Sequence, residues 1–343
     1  MTLLARDEAD IVDAQIAFHL HAGVDFVIAT DNGSEDGTTE ILERYQRAGF
    51  LHLIREESTD MLQAKWVTRM ARLAATDFGA DWVINSDADE FWWPHAGSLK
   101  DVLATVPDRF GVIRGAWRHF LPRPPTEPFF AERMTVRLLM PAHPGNKETI
   151  FHAHQKVAHR ADPTVAVAPG NHDVHGAGLT PMRGWHPLEV LHFSFRSAGQ
   201  LARKGRGGWP QNPFYEPVLH QQLLEEAARE GRVDEFYESF VTTDEDVVRG
   251  LADRTLEVDT RLRDSLRALR GEGGGFRMPE PGAPPLTFAH PGIEEDAVLA
   301  GEISVLVGID GVARAEKRVD AIEDRLAALE QGPVSRLRRL ARR

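Results

Sequence analysis

Four short apolar runs alternate with three segments of helical periodicity over the first 90 residues. The runs cover 3–5, 26–30, 51–54 and 82–85. Between them, apolar residues recur at three- and four-residue steps, which is the spacing of amphipathic helices. Strand–helix–strand repetition of this kind predicts an α/β fold with a mostly parallel sheet and helices on both faces. Ligands of such folds lie at the carboxyl ends of the strands, so the loops there are the expected site.

Composition narrows the class of protein. The chain of 343 residues is 42% hydrophobic and 27% charged, which is typical of a globular protein. Its net charge of −12 argues against a nucleic-acid partner. The absence of cysteine excludes disulfides and thiolate zinc sites and fits a cytoplasmic protein. No apolar run reaches the roughly 18 residues of a membrane span, and the acidic start of the chain is untypical of a signal peptide.

A cluster of acids follows the fourth apolar run. Asp87, Asp89 and Glu90 lie within four residues of one another, and such crowding of like charges is costly unless a cation is bound. Asp87 and Asp89 are two residues apart, so both can face one cavity at a strand end. Oxygen ligands suit Mg²⁺ or Mn²⁺, which in turn bridge phosphates. The cluster therefore predicts a divalent metal site.

A second polar segment, residues 30–38, follows the second run. It reads Thr-Asp-Asn-Gly-Ser-Glu-Asp-Gly-Thr, and its Asn-Gly and Asp-Gly pairs predict tight turns before a helix that Ser34 or Thr38 would cap. Asp31 and the acidic cluster fall on the same edge of the predicted sheet. This pairing favours a bipartite site for a nucleotide and a metal, with Asp31 accepting a hydrogen bond from a base.

These residues resemble a known family. Asp-Asn-x-Ser-x-Asp-Gly-Thr after the second strand and Asp-x-Asp some 50 residues later are similar to family 2 glycosyltransferases, which have the GT-A nucleotide-diphospho-sugar transferase fold. Arg6-Asp7-Glu8-Ala9 and Asp-Ala-Asp-Glu-Phe at 87–91 resemble the bacterial family-2-like and family-92-like branch. The resemblance is specific over residues 1–95, looser over 96–210 and absent beyond about 240.

The resemblance implies a metal-dependent, inverting transfer of a sugar from a nucleotide donor to an acceptor hydroxyl. Asp87, Asp89 and His192 would hold Mn²⁺ or Mg²⁺. Lys65 and Arg69 would face the donor, although a solvated helix face explains them equally well. The complete set implied for the nucleotide sugar is Arg6, Glu8, Asp31, Ser34, Gln63, Lys65, Arg69, Asp87, Arg196, Ser197 and Lys204. The last three belong to a mobile, basic loop after His192 that is expected to order on the diphosphate.

Eight histidines fall between 143 and 192, and they raise a different possibility. Gly170-Asn171-His172-Asp173 matches one element of calcineurin-like metallophosphoesterases, but the partner motifs of that family are missing. An inverting transferase needs a general base for the acceptor hydroxyl. Asp173 is the first candidate for this role, with His172 and Glu189 as alternates.

The chain is divided into a catalytic domain, 1–240, and a helical C-terminal region, 241–343. The catalytic domain comprises a nucleotide and metal half, 1–95, and an acceptor half, 96–240. The C-terminal region contains a Gly/Pro linker at 271–285 and a short heptad helix at 311–331 that would pack on the domain or form a homodimer.

Five arginines after Gly332 form either a solvated end or a contact with anionic lipid. The protein would then be cytoplasmic or peripheral on the inner face of a membrane. The expected partners are a UDP- or GDP-sugar and a glycan or glycolipid acceptor, in polysaccharide or glycoconjugate synthesis. Two alternatives stay open, a histidine-rich metallophosphoesterase and a catalytically silent sugar-nucleotide-binding module.

Overall fold

The computed structural model describes residues 1–57, 62–143, 149–207, 219–271, 273–280, 282–289 and 298–308. The strands are β1 (Thr2–Ala5), β2 (Val27–Asp31), β3 (Leu51–Arg55), β4 (Trp82–Asp87), β5 (Glu90–Pro94), β6 (Ala96–Gly97), β7 (Val112–His119), β8 (Val136–Leu138), β9 (Gln155–Arg160), β10 (Ala166–Val167), β11 (Val174–His175), β12 (Leu188–His192), β13 (Leu256–Val258) and β14 (Phe288–Ala289). The helices are α1 (Val12–His21), α2 (Thr38–Arg47), α3 (Gln63–Thr76), α4 (Leu99–Ala104), α5 (Phe130–Arg133), α6 (Ala198–Gly207), α7 (Leu219–Glu230), α8 (Val233–Glu238), α9 (Asp244–Ala252) and α10 (Arg261–Leu269).

An eight-stranded sheet organises the molecule, in the order β3-β2-β1-β4-β9-β7-β12-β5. Its first four strands are parallel, as are β7 and β12. β9 runs antiparallel between β4 and β7, and β5 is antiparallel to β12 at the edge. The predicted α/β class and mostly parallel sheet are confirmed.

Helices cover both faces of this sheet; α2 and α3 each bury one apolar face, whereas α1 is buried on nearly all sides. α1 and α2 contribute Phe18, Leu42 and Tyr45 to the larger core cluster. α3 buries Val67 and Met70 on the opposite side, together with apolar residues of β9, β10 and β11. The sheet is therefore the middle layer between the two apolar clusters.

The described residues after 240 include α9 and α10 and return to the main core. β13 pairs with β8, and β14 pairs with β6. Leu262 and Leu266 of α10 are buried in the larger cluster. Phe276 and Met278 from the predicted linker, and Leu286 directly after it, pack against this cluster. The predicted heptad helix and the arginine tail lie outside the described residues. No helix in the described ranges is long and apolar enough to span a membrane.

Short apolar stretches near 111–116, 135–140 and 155–159 also predict strands, and they correspond to β7, β8 and β9. β5 was not predicted. It begins at Glu90, within the acidic cluster and with only two residues between it and β4, so the sequence does not mark it as a separate apolar run.

His19 connects α1 to β5 from within the core. Its Nδ1 lies 2.7 Å from the Gln15 carbonyl oxygen, and its Nε2 accepts the Trp92 backbone N–H at 3.0 Å. Because Nε2 must stay unprotonated for the second bond, the native structure needs the neutral ring. Burial agrees with this, since it lowers the pKa of His19 to about 4.

Acid should destabilise the protein through His19. The unfolded ring takes up its proton near its ordinary pKa of 6.5, whereas the folded ring resists until about 4. The stability contributed by the neutral ring is therefore full above pH 6.5 and is lost as the pH falls through 4. The difference between the two pKa values is worth about 3 kcal/mol. Urea titrations of His19→Gln should give a lower free energy of unfolding at pH 7 and a shallower decline from pH 6.5 to 4; equal slopes would contradict this role.

Candidate active site

The carboxyl ends of β2, β1 and β4 meet at one edge of the sheet. Asp31 lies beside Ala5 in the β1–β2 register, and Asp87 lies beside Leu4 in the β1–β4 register. The loops after these three strands are consequently neighbours, although about 80 residues of sequence separate the end of β1 from the end of β4.

The loops after β1 and β2 are hydrogen-bonded to each other. The Glu8 backbone N–H donates to Thr38 Oγ1 at 2.8 Å, and the Glu35 N–H donates to Asp7 Oδ1 at 2.8 Å. Asp7 adopts a φ of 55°, in the left-handed region that few non-glycine residues use. Asp31 accepts the Ser34 hydroxyl at 2.6 Å and also the Thr39 hydroxyl. The first two of these bonds join the loop after β1 (6–11) to the loop after β2 and the first residue of α2 (32–38), and we term the pair the double loop.

Asp87 is held by cationic and amide donors. Lys156 Nζ lies 2.6 Å from Asp87 Oδ2 and 2.8 Å from Glu90 Oε1. The Asn171 amide nitrogen donates to Asp87 Oδ1 at 3.1 Å, and the Gln63 amide is 3.5 Å away. Lys156 is almost fully buried, so its ammonium is compensated by these two carboxylates.

Asp89, Glu90 and His192 form a separate group. Their ligand atoms lie within 4.8 Å of one another, and all three residues are buried. His192 Nε2 is 3.8 Å from Asp89 Oδ1. Glu90 also accepts the Trp117 indole N–H at 3.0 Å, and the Trp117 ring stacks on His192 with centroids 4.1 Å apart. Lys156 lies over the Trp117 ring at 5.2 Å, so both faces of this tryptophan are occupied by protein groups.

The segment after β12 supplies further cations. The fully buried Arg196 pairs with Glu8, and its Nε lies 2.7 Å from Asp10 Oδ2. Lys204 of α6 reaches between two carboxylates, with Nζ 3.3 Å from Asp89 Oδ2 and 3.6 Å from Glu8 Oε1. Ser197, also predicted to bind phosphate, accepts the Gln200 backbone N–H at the start of α6.

Charge and burial shift several pKa values. Burial raises the pKa of Glu90, and the Asp87 and Asp89 carboxylates add to this effect, whereas the Lys156 ammonium 2.8 Å away opposes it and favours the ionised form. Burial also opposes ionisation of Asp89, but the Lys204 and Arg196 cations hold its pKa below the ordinary value. Burial lowers the pKa of His192 well below 6.5. The imidazole is therefore neutral at pH 7, the form in which it binds metals.

These residues fit a divalent cation. The five carboxylates of Glu8, Asp10, Asp87, Asp89 and Glu90 outnumber the four cations that pair with them, Lys156, Arg196, Arg203 and Lys204. The buried Asn171 Oδ1, beside Asp87, has no hydrogen-bond partner among the described residues. Two carboxylates and a neutral imidazole are suitable ligands for Mn²⁺. Sequence reasoning had named Asp87 rather than Glu90, because the pairing of Asp87 with Lys156 has no local signal.

Other predicted residues lie apart from this group. Lys65 and Arg69 are on the exposed face of α3, where Arg69 pairs with Glu56 at 3.4 Å. Arg6 is half-buried at the end of β1. Gln63 is the α3 residue that reaches the site, through Asp87.

The three candidate bases occupy different surroundings. Glu189 is buried with Arg118 at 2.9 Å and Arg261 at 2.7 Å, and because side chains alternate along β12 it faces the side of the sheet opposite to His192. His172 stacks on His154, with Nδ1 2.8 Å from the Gln155 carbonyl oxygen. Asp173 is about half exposed and pairs with Arg114 at 3.1 Å. Within the described ranges, the Asp89, Glu90 and His192 group contains none of the phosphoesterase-like residues.

Comparisons with known proteins give distant likenesses. No family model and no curated protein matches the chain. It is similar to a structure of S. aureus TarS 1–349 in complex with UDP, at 10% identity over 67% of this chain and 69% of that one, with a TM-score of 0.32. Another S. aureus TarS structure gives 14% identity and 0.26 over 37% of this chain and 22% of that one, and a mycobacterial protein gives 20% and 0.24 over 34% and 40%. The chain thus spans less than half of two of these proteins, and scores at this level assign no function.

Replacing Lys156 by methionine should destabilise the metal-free protein strongly. Asp87 and the buried Glu90 would be left facing each other without a cation, which typically costs about 3–5 kcal/mol. Urea unfolding at pH 7 with EDTA measures this loss, and adding Glu90→Gln to Lys156→Met should recover part of it. Arg47→Met is a matched control, because its pair with Glu43 at 3.5 Å is exposed and worth under about 1 kcal/mol. Equal losses in the two single variants would contradict the importance of Lys156.

Proposed function

We propose that the protein is a metal-dependent glycosyltransferase that moves a sugar from a nucleoside diphosphate donor to an acceptor hydroxyl, with inversion at the anomeric carbon. The observation that carries the proposal is the meeting of Asp31, the Glu8 loop and the Asp87–Glu90 turn at the carboxyl edge of β2, β1 and β4. This edge is where open α/β sheets bind nucleotides. The resemblance of the same segments to family 2 glycosyltransferases adds the reaction class.

The double loop is assigned to the nucleoside. Hydrogen bonds between its two halves hold Asp31 and Arg6 at adjacent strand ends. Asp31 is buried and accepts hydrogen bonds from two hydroxyl groups. It is therefore assigned two roles, to hold the loop in place and to accept a hydrogen bond from a base N–H. Uridine and guanosine donors both fit such an acceptor.

The diphosphate is assigned to the Asp89 side of the site. Asp89, Glu90 and His192 would hold Mn²⁺ or Mg²⁺, with Asp87 adjacent, and the ion would offset charge on the departing nucleoside diphosphate. Lys204 belongs to α6 and contacts its carboxylates at 3.3 Å and 3.6 Å. Its ammonium can exchange a carboxylate for a phosphate oxygen without leaving the site. Arg196 is saturated by Glu8 and Asp10 and is assigned to positioning those carboxylates.

The general base is assigned to Asp173. It lies two residues beyond Asn171, which bonds to Asp87, and its side chain is accessible to an acceptor. Glu189 is excluded from this assignment by its position on the other face of the sheet. The acceptor is proposed to be a glycan or glycolipid. Contact of the arginine tail with a membrane and pairing of two chains through the heptad helix are further proposals, on residues outside the described ranges.

Nucleoside diphosphates should stabilise the protein only together with the metal. Thermal unfolding with UDP, GDP, CDP or dTDP, each with and without Mn²⁺, should show a selective and Mn²⁺-dependent rise in Tm. At a hundredfold excess over Kd the stabilisation is about 2.7 kcal/mol. Asp89→Asn should abolish the rise, whereas Asp108→Asn, at a fully exposed carboxylate, should keep it. A wild-type protein that responds to no nucleotide would refute the proposed function.

Asp173→Asn should separate binding from turnover. Because the proposed base acts on the acceptor, the variant should keep the nucleotide-induced rise in Tm and lose roughly a hundredfold or more in kcat. Hydrolysis or transfer assays with the donor identified by the thermal experiment measure this loss. Glu189→Gln is unsuitable as a comparison, because it removes the carboxylate that pairs with Arg118 and Arg261 and so would destabilise the fold. Unchanged kcat in Asp173→Asn would remove Asp173 from the mechanism.

A further inference from the structure

Two hydrogen bonds in series connect His192 to a backbone carbonyl group. His192 and His119 end the neighbouring strands β12 and β7, directly opposite each other in the register. Their Nδ1 atoms are 3.4 Å apart. On the far side of His119, Nε2 lies 2.7 Å from the carbonyl oxygen of His152. Both rings are buried.

This series fixes which nitrogen of each ring carries the proton. A carbonyl oxygen can only accept, so His119 Nε2 must donate. His119 is buried, and among the described residues its polar contacts are this carbonyl oxygen and His192 rather than a carboxylate, so a charged ring would be uncompensated. The ring is therefore neutral and its Nδ1 is bare. His192 Nδ1 faces this bare nitrogen and must therefore carry the proton of its own neutral ring. His192 Nε2 is left with its lone pair.

The bare Nε2 faces a carboxylate. It lies 3.8 Å from Asp89 Oδ1, and neither atom has a proton to share with the other. Two acceptors at this distance repel unless a positive group lies between them. Trp117 holds the ring plane in this direction, because it stacks on His192 and is itself fixed by its bond to Glu90.

We propose that His119 is a positioning residue that sets the tautomer of His192 and so presents Nε2 to a divalent cation. The inference deepens the proposed function, on which its biological meaning rests, but it concerns only the protein and the metal. A ligating imidazole generally donates its second N–H to an acceptor that orients it, and loss of that acceptor typically costs 10- to 100-fold in metal affinity. Here the acceptor is another imidazole, held in turn by the His152 carbonyl group.

A matched pair of variants tests the proposal. Asn and Leu have nearly the same shape, and both remove the ring and its bond to the His152 carbonyl oxygen. Asn at position 119 keeps an oxygen close to the position of Nδ1, whereas Leu does not. The dissociation constant of Mn²⁺ alone, measured from the EPR signal of the free ion, should rise at least tenfold in His119→Leu and stay within about threefold of wild type in His119→Asn. Equal affinities in the two variants would overturn the proposal.

The tautomer itself is a second readout. Long-range ¹H–¹⁵N NMR of the metal-free protein, with His192 assigned by the spectrum of His192→Gln, should show a protonated Nδ1 in wild type and a shift toward the other tautomer in His119→Leu. A wild-type His192 protonated on Nε2 would overturn the inference even if His119→Leu failed to fold. Because no nucleotide is present, failure of the transferase hypothesis would appear in the thermal experiment and leave this result intact.

Discussion

Neutralisation of buried carboxylates by cations from distant parts of the chain is the interaction on which the site depends. Lys156 compensates Asp87 and Glu90 from β9, and Arg196 compensates Glu8 and Asp10 from the segment after β12. A buried charge that loses its partner is strongly destabilising. These pairs therefore connect the chain beyond residue 150 to its first 90 residues, and the same contacts that shape the site also stabilise the fold.

The strand ends were predictable because their signals are local. An apolar run followed by acids or by Asn-Gly marks a strand and its loop within ten residues, and the parallel order of β2, β1 and β4 follows from the intervening helices. The polar edge with Asp31, Asp87 and Asp89 thus followed from sequence alone. β5 did not, because it begins at Glu90 within the acidic cluster itself, and without β5 the place of His192 beside Glu90 could not be inferred.

The partners of these carboxylates were not predictable, since they depend on tertiary contacts. Lys156 lies 69 residues from Asp87 along the chain, and Glu189 is 71 residues from the Arg118 that occupies it. The local sequence around a carboxylate in a strand does not show whether its side chain faces a cavity or a buried arginine. For the same reason the role of His119 was invisible, because it rests on the register between β7 and β12 rather than on any spacing.

The excess of carboxylates has a consequence for the order of binding under the proposed function. A nucleoside diphosphate is itself anionic, so the edge formed by Glu8, Asp89 and Glu90 repels it while Lys204 is held by two of these groups. A divalent cation would neutralise the carboxylates and so remove this repulsion. It would also free the ammonium of Lys204 to bind a phosphate oxygen. Metal should therefore precede the donor, and α6, which carries Lys204, is the element whose contacts must change when the two arrive.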